Sequence, residues 1–137
     1  MKKIIKITGS LLLNLLLVII AIFLLKYLLI PAIIITLFIS FFNRKVGNGF
    51  LNISQYLREV ALSIDQLGNV ICSDLFDITL INKNGYKFGN PDETISGVIG
   101  KNQKLKTLTF IGKGLNKILN IIEKDHSINA IEEDEKN

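Results

Sequence analysis

Between Ile7 and Phe42 a single charged side chain, Lys26, interrupts an otherwise apolar and uncharged run. A helix built from such a run rises about 1.5 Å per residue, so it would measure on the order of 54 Å against a bilayer hydrocarbon core of roughly 30 Å. One straight span leaves much of that length over. The helix breakers sit together at Lys26-Tyr27 and Pro31: an ammonium prefers the headgroup layer, and proline removes a backbone donor and disfavours helix before it. These features favour a helical hairpin, with a first helix over about 5–24, a turn around 26–31 and a second short helix ending at Phe42. The other arrangement is one tilted span, in which Lys26 snorkels to an interface and the helix continues past Pro31. The hairpin is preferred because it puts Lys2, Lys3 and Lys6 on the same side as Arg44 and Lys45, which the positive-inside tendency makes the cytoplasm. A cleaved signal peptide fits poorly, since the apolar run is too long for its h-region and no small-x-small cleavage site follows. Residues 1–45 are therefore expected to form a membrane anchor of two short transmembrane helices. Asn14 and Ser40 within it could support self-association through the membrane segment.

The charge of the chain has to be apportioned before its pI of about 9.2 is read as a nucleic-acid signature. All six ionisable residues up to position 45 are basic (Lys2, Lys3, Lys6, Lys26, Arg44, Lys45), whereas the remainder is slightly acidic, since the whole chain carries only +4. The cations flank the apolar run, where membrane topology demands them, and are not gathered in the soluble part; nucleic acid is disfavoured as a partner. Cys72 stands alone, which excludes an intrachain disulfide and a cage of several cysteines around a metal.

Beyond the anchor, Gly47-Asn48-Gly49 reads as part of a linker over 46–51. Asn52 and Gln55 form a capping-box pattern, and Ile53, Tyr56, Leu57, Val60, Ala61, Ile64, Leu67 and Ile71 recur at helical spacing, predicting a helix over about 53–72 with Arg58, Asp65 and Asn69 on its opposite face. Leu75 to Ile81 and Tyr86 to Phe88, separated by Asn82-Lys83-Asn84-Gly85, predict a β-hairpin leaning on a helix. Asn90-Pro91-Asp92-Glu93-Thr94 predicts a helix start with Asn90 as cap and Pro91 in the first turn. A last helix is expected over about 104–124, kinked at Gly112 and Gly114, with Lys106, Lys113, Lys117 and Lys124 in one lipid-facing basic stripe. Residues 127–137, ending in an acidic run, are expected to be a disordered tail after a soluble domain over 52–126. The chain thus reads as a mainly α membrane protein: an N-terminal transmembrane helix or helical hairpin followed by a small α+β domain of about three helices and one β-hairpin.

Chemistry-bearing residues are sparse. Asp65 and Asn69, one turn apart, could join Asp92, Glu93, Thr94, Ser96 and the single His126 in a carboxylate and imidazole cluster for a cation or for acid-base work. Against this, Asp92 and Glu93 are explained as first-turn acids facing a helix dipole, and His126 as a cation near a helix C-terminus. Gly100-Lys101 and Gly112-Lys113-Gly114 lack both the P-loop spacing and a preceding strand. No catalytic residue, metal ligand or cofactor is assigned.

The string from Ser63 to Asn69, with its Asp65-Gln66 and Asn69, then Gly89-Asn90-Pro91-Asp92-Glu93-Thr94-Ile95-Ser96, then Gly100-Lys101 and Asp125-His126, resembles a group of small phage and prophage proteins sharing LDQxxN, GxPDETxS and DH motifs. The Asn-Gly segment between the first two blocks and the long apolar run depart from that pattern. The resemblance implies a viral setting and transfers no catalytic role. The expectation is a phage-encoded integral membrane accessory protein of the host cytoplasmic membrane, its soluble domain in the cytoplasm, acting through lipid, itself or a phage or host protein. A holin-like, lysis-associated role is its sharpest version, and a membrane-tethered metal-dependent enzyme using the carboxylate and His126 cluster is the alternative.

Overall fold

The computed structural model describes residues 2–42 and 46–134, which form six helices and one isolated β-bridge: α1 (Lys2–Phe42), α2 (Val46–Ile71), α3 (Ser73–Thr79), α4 (Ile95–Leu105), α5 (Phe110–Ile122) and α6 (His126–Asp134). Residues up to Gln55 form one compact unit and those from Tyr56 onward a second.

In the first unit the expected hairpin is replaced by one continuous helix, α1, that carries Pro31 in its interior. A proline costs the bond its missing N–H would have made and crowds the carbonyl one turn back at Tyr27. One lost bond does not interrupt a long ladder when the residues around it are aliphatic and aromatic, and ring pairs such as Phe23–Tyr27, 4.6 Å apart, brace the turn before it. Its segment Ile7–Ser40 is long and apolar enough to cross a membrane, and none of its residues is buried. The flanking Arg44 and Lys45, on which the same-side argument drew, lie outside the described residues. Helix also covers 46–51, where a linker was expected.

The second unit is built around a small core of Leu80, Ile81, Phe88, Val98, Ile99 and Leu108, against which Phe76, Ile95, Leu115 and Leu119 pack. The predicted β-hairpin is absent among the described residues. Leu75 to Thr79 is helical, as Phe76 N–H donates to Cys72 O and Leu80 N–H to Phe76 O. The Asn82 to Gly85 turn does form, with Gly85 N–H donating to Asn82 O at 2.8 Å. What fails is the return strand. Ile81 pairs instead with Leu108, through Asn82 N–H to Thr107 O at 2.8 Å and Thr109 N–H to Leu80 O at 2.9 Å. The backbone of Tyr86 is claimed by a side chain: Asn102 Nδ2 donates to Tyr86 O and Asn102 Oδ1 accepts from Tyr86 N, both at 2.8 Å. One buried carboxamide supplies the donor and acceptor that a neighbouring strand would have offered.

Two further expectations are corrected. The helix after Pro91 starts later than its sequence suggests: Asn90 to Glu93 is a turn, and Thr94 is the cap of α4, accepting from Gly97 N at 2.9 Å. Asn90 O accepts from Glu93 N at 3.2 Å, a turn bond and not a helical one, and Asn69 holds that turn by donating to the carbonyls of Asn90 and Glu93. The single last helix is two, because Lys106 takes a left-handed conformation (φ 58) that closes α4, and Thr109 caps α5 by accepting from Gly112 N at 3.1 Å. The basic stripe is accordingly split: Lys106 ends α4, Lys113 and Lys117 ride on α5, and Lys124 follows it. The expected disordered tail is helical from His126 to Asp134, and 135–137 lie outside the described residues.

The α4 and α6 backbones approach so closely at Gly100 that a Cβ there would strike the carbonyl of Ser127. The face of α2 that enters the domain is its polar one. Asn69 is fully buried and Asp65 half-buried, while Leu57, Ile64, Leu67 and Ile71 point outward.

Candidate functional site

α2 enters the domain through hydrogen-bonding side chains spaced a turn apart. Asn69 Nδ2 donates to Asn90 O and to Glu93 O, each at 2.8 Å, and its Oδ1 accepts from Gly89 N at 3.0 Å. Gly89 has φ +111, a conformation side chains rarely adopt, so the chain can turn into the clamp at that residue. One turn earlier, Asp65 Oδ2 accepts from Ser96 Oγ at 2.9 Å and lies 3.4 Å from Ser96 N, laying a carboxylate against the N-terminal end of α4 where the helix dipole favours it. Gln66 Nε2 reaches Asp92 O at 3.4 Å. Within the turn, Asn90 Oδ1 accepts from Asp92 N at 3.2 Å.

Glu93 points away from this face. Its Oε1 accepts from Tyr86 Oη at 2.7 Å and from Lys101 Nζ at 3.0 Å, and the ammonium lies 4.8 Å from the centre of the Tyr86 ring. Burial works against the charged carboxylate, but hydrogen bonds from Tyr86, Lys101 and Asn90 outweigh it and hold Glu93 below the ordinary carboxylate range. For Lys101, burial again opposes charge, and the bond to Glu93 overcomes it and raises its pKa. The Tyr86 hydroxyl is raised first by its hydrogen bond to Glu93 and then by burial.

Between α2, the start of α4 and the α5–α6 junction lies a cleft of about 340 Å³, lined among others by Arg58, Asp65, Thr94, Ser96, Glu123 and His126. His126 Nδ1 lies 2.8 Å from Glu123 Oε2. A guanidinium, an imidazole and two carboxylates thus share one opening, a setting for a small polar ligand. Its Ser96 hydroxyl donates to Asp65 and not to His126, whose ring is joined to Glu123.

The sequence motif is therefore brought together, but as a clamp. Asp65, Gln66 and Asn69 of α2 join the 89–97 segment at Gly89, Asn90, Asp92, Glu93 and Ser96, and Thr94 caps α4 within that segment. Pro91 sits exposed in the turn, Glu93 and Lys101 form a separate pair, and Gly100 is a packing position under Ser127. Of the carboxylate and imidazole cluster, Asp65, Thr94, Ser96 and His126 line this one cleft, whereas Glu93 faces Tyr86 and Lys101 and Asp92 is exposed in the turn. Among the described residues no group of three or more His, Cys, Asp and Glu could hold a metal ion. Sequence reasoning passed over Asn102, Tyr86, Arg58 and Glu123. Asn102 carried one signal, a poor helix former placed in a helix interior.

The chain matches no protein-family model, no curated protein and no solved structure.

Proposed function

We propose that this chain is a phage-encoded accessory protein of the host cytoplasmic membrane, held there by α1 and acting through surface interactions of its second unit. The observation that carries this reading is the Ile7–Ser40 helix, apolar apart from Lys26 and a few small polar residues, and long enough to cross a membrane. In water such a surface would be far beyond the apolar patch a soluble monomer tolerates. Its phage setting rests on the resemblance of the Asp65 to Asn69 and Gly89 to Ser96 blocks. The same-side argument for a cytoplasmic domain needed a hairpin. With one continuous span, Lys2, Lys3 and Lys6 are assigned to the cytoplasm and the second unit to the opposite face.

Lipid contact extends to α5. Phe110 is 92% exposed and shares an open face with Ile111, Ile118, Ile121 and Ile122, edged by Lys113 and Lys117. A helix with this division lies in an anionic interface, its apolar face in the acyl boundary and its lysines at the headgroups. A holin-like role is the sharpest form of this reading. The second unit is larger than lesion formation requires.

The experiment is alkaline carbonate extraction of membranes from cells expressing the full chain. The wild type should stay in the pellet. A Leu17→Arg/Ile20→Arg double variant, at about 2.5–3.5 kcal/mol of insertion cost per arginine, should shift to the supernatant or be degraded. A wild-type chain released by carbonate refutes the anchor. For the holin-like form, induction of the full chain should arrest growth abruptly, and harmless accumulation refutes it.

A further inference from the structure

α2 is amphipathic in the sense opposite to that expected of a core helix. Its polar side is seated in the domain through Asn69, Asp65 and Gln66, and its apolar side is open. Leu57, Ile64, Leu67 and Ile71 are 55%, 64%, 53% and 72% exposed, and Val60 between them is half-buried. Their spacing is stricter than helical amphipathicity needs. From Leu57 the intervals to Val60, Ile64, Leu67 and Ile71 alternate three and four residues, the a and d positions of a heptad repeat. A helix of 3.6 residues per turn drifts by about 20° per heptad relative to this repeat, so the stripe stays in contact only with a helix that supercoils around it with left hand.

We propose that α2 pairs with α2 of a second copy of this chain as a parallel two-stranded coiled coil immediately after the membrane anchor. Stoichiometry comes from the residues and direction from the anchor. Two copies anchored by α1 in one membrane send off their α2 helices from the same membrane face, as a parallel pair requires, so the pairing rests on the membrane reading for its direction and for the shared tether. Of the a positions Leu57, Ile64 and Ile71 the last two are β-branched, and of the d positions Val60 and Leu67 the second is leucine, so the heptad from Ile64 to Ile71 carries the combination that favours two strands. Nothing charged flanks the seam: Ala61 and Gly68 lie on one side, Ser63 and Val70 on the other, while Arg58, Glu59 and Asp65 are on the far arc.

The area also points to a membrane-borne pair. Four apolar side chains exposing roughly 100 Å² each give on the order of 800 Å² over two copies, below the ~1,200 Å² of a free-standing specific interface. A shared tether raises the effective concentration to about the millimolar range, which supports a contact of this size.

The test uses the full chain in native membranes, with Cys72→Ser removing the native thiol and single cysteines placed on seam or off it. On mild oxidation, Ile64→Cys and Ile71→Cys should give disulfide-linked dimers at least about fivefold more abundant than Glu59→Cys, because like a positions face each other in a parallel pair. Adding Ile64→Glu to a Leu67→Cys chain should abolish its dimers while leaving it in the carbonate-resistant pellet. No excess of seam dimers over Glu59→Cys in pelleted chain overturns the pairing, as does labelling of Ile64→Cys by a thiol-reactive lipid in place of a disulfide. Seam dimers in a chain that carbonate releases would keep the coiled coil and refute the anchor, so the two readings fail separately.

Discussion

Asn69→Ala tests whether the second unit is held by a polar clamp. The substitution removes two donors and one acceptor from a fully buried position and leaves Asn90 O, Glu93 O and Gly89 N to find other partners. Each hydrogen bond contributes about 1 kcal/mol net, and a buried group left unmatched costs about 1–3 kcal/mol. The three together give about 3–5 kcal/mol, a large share of the 5–15 kcal/mol typical of a domain. For a unit of this size that lowers the melting temperature by about 12–24 °C or more. Asn69→Asp separates the clamp from simple volume loss. It keeps an acceptor for Gly89 N but turns the donor into an oxygen facing two carbonyls, so at neutral pH it should destabilise at least as much as alanine. Protonation of the new carboxyl returns one donor, so the deficit should shrink on acidification. The assay is urea unfolding of the full chain in detergent micelles, followed by near-ultraviolet circular dichroism of its tyrosines, with hydrogen exchange mapping the 89–97 segment. A loss under about 1 kcal/mol, or lost protection spread evenly over the second unit, would refute the clamp.

Gly100→Ala should force α6 off α4, because the new Cβ meets the Ser127 backbone and not a side chain that can swing away; the expected cost is about 1–3 kcal/mol, seen as early proteolysis within His126–Asp134. Stability should be flat through neutral pH and fall at both ends. Glu93 has a depressed folded pKa, so its contribution is lost as pH falls through that value; Lys101 and Tyr86 have raised folded pKa values, so theirs are lost as pH rises through them. Glu93→Gln should flatten the acid limb of a urea-midpoint profile, and an unchanged limb would assign it to other carboxylates. With Cys72→Ser and a polarity-sensitive dye on Phe110→Cys, reconstituted full chain should show a blue shift in anionic vesicles, reduced by Lys113→Gln/Lys117→Gln. Identical spectra in anionic and zwitterionic lipid would remove α5 from the membrane surface.

How much the residues disclosed depended on whether the deciding interaction was local. The apolar run of α1 was legible from composition. Its continuity past Pro31 was not, because a proline breaks a helix only when the lost bond outweighs the ladder around it. The turn at Asn82 to Gly85 was legible too, but its strand partner is Leu108, more than twenty residues on, and no local pattern announces it. Asn90 and Pro91 competed with Thr94 to start α4, and the competition was settled from outside the segment by Asn69. The motif blocks did belong together, yet their spacing could not distinguish residues that clasp one another from residues that clasp a ligand. Periodicity in α2 identified an apolar face correctly and is silent on whether the same chain or another molecule covers it.

That silence is informative once the burial is known. Among the described residues the second unit buries eight apolar side chains, six of them in one cluster, while Asn69, Asn102 and Ser127 are buried completely. A unit of this size normally turns every large aliphatic face inward, since small domains bury barely enough apolar surface to remain folded. Here the outward Ile64, Ile71, Phe110 and Ile121 would each add apolar burial if the helices were rotated. Rotation is prevented by directional bonds: turning α2 would break the Asn69 and Asp65 contacts, and turning α5 would break Asn116 from Gln103 and Ser127. Polar groups in the interior thus fix the orientation in which the apolar faces are presented. Whatever covers those faces stabilises the fold by the same mass action that sets its affinity. A unit arranged this way is at its most stable when docked, and under the proposed reading lipid for α5 and a second α2 would be met in one place.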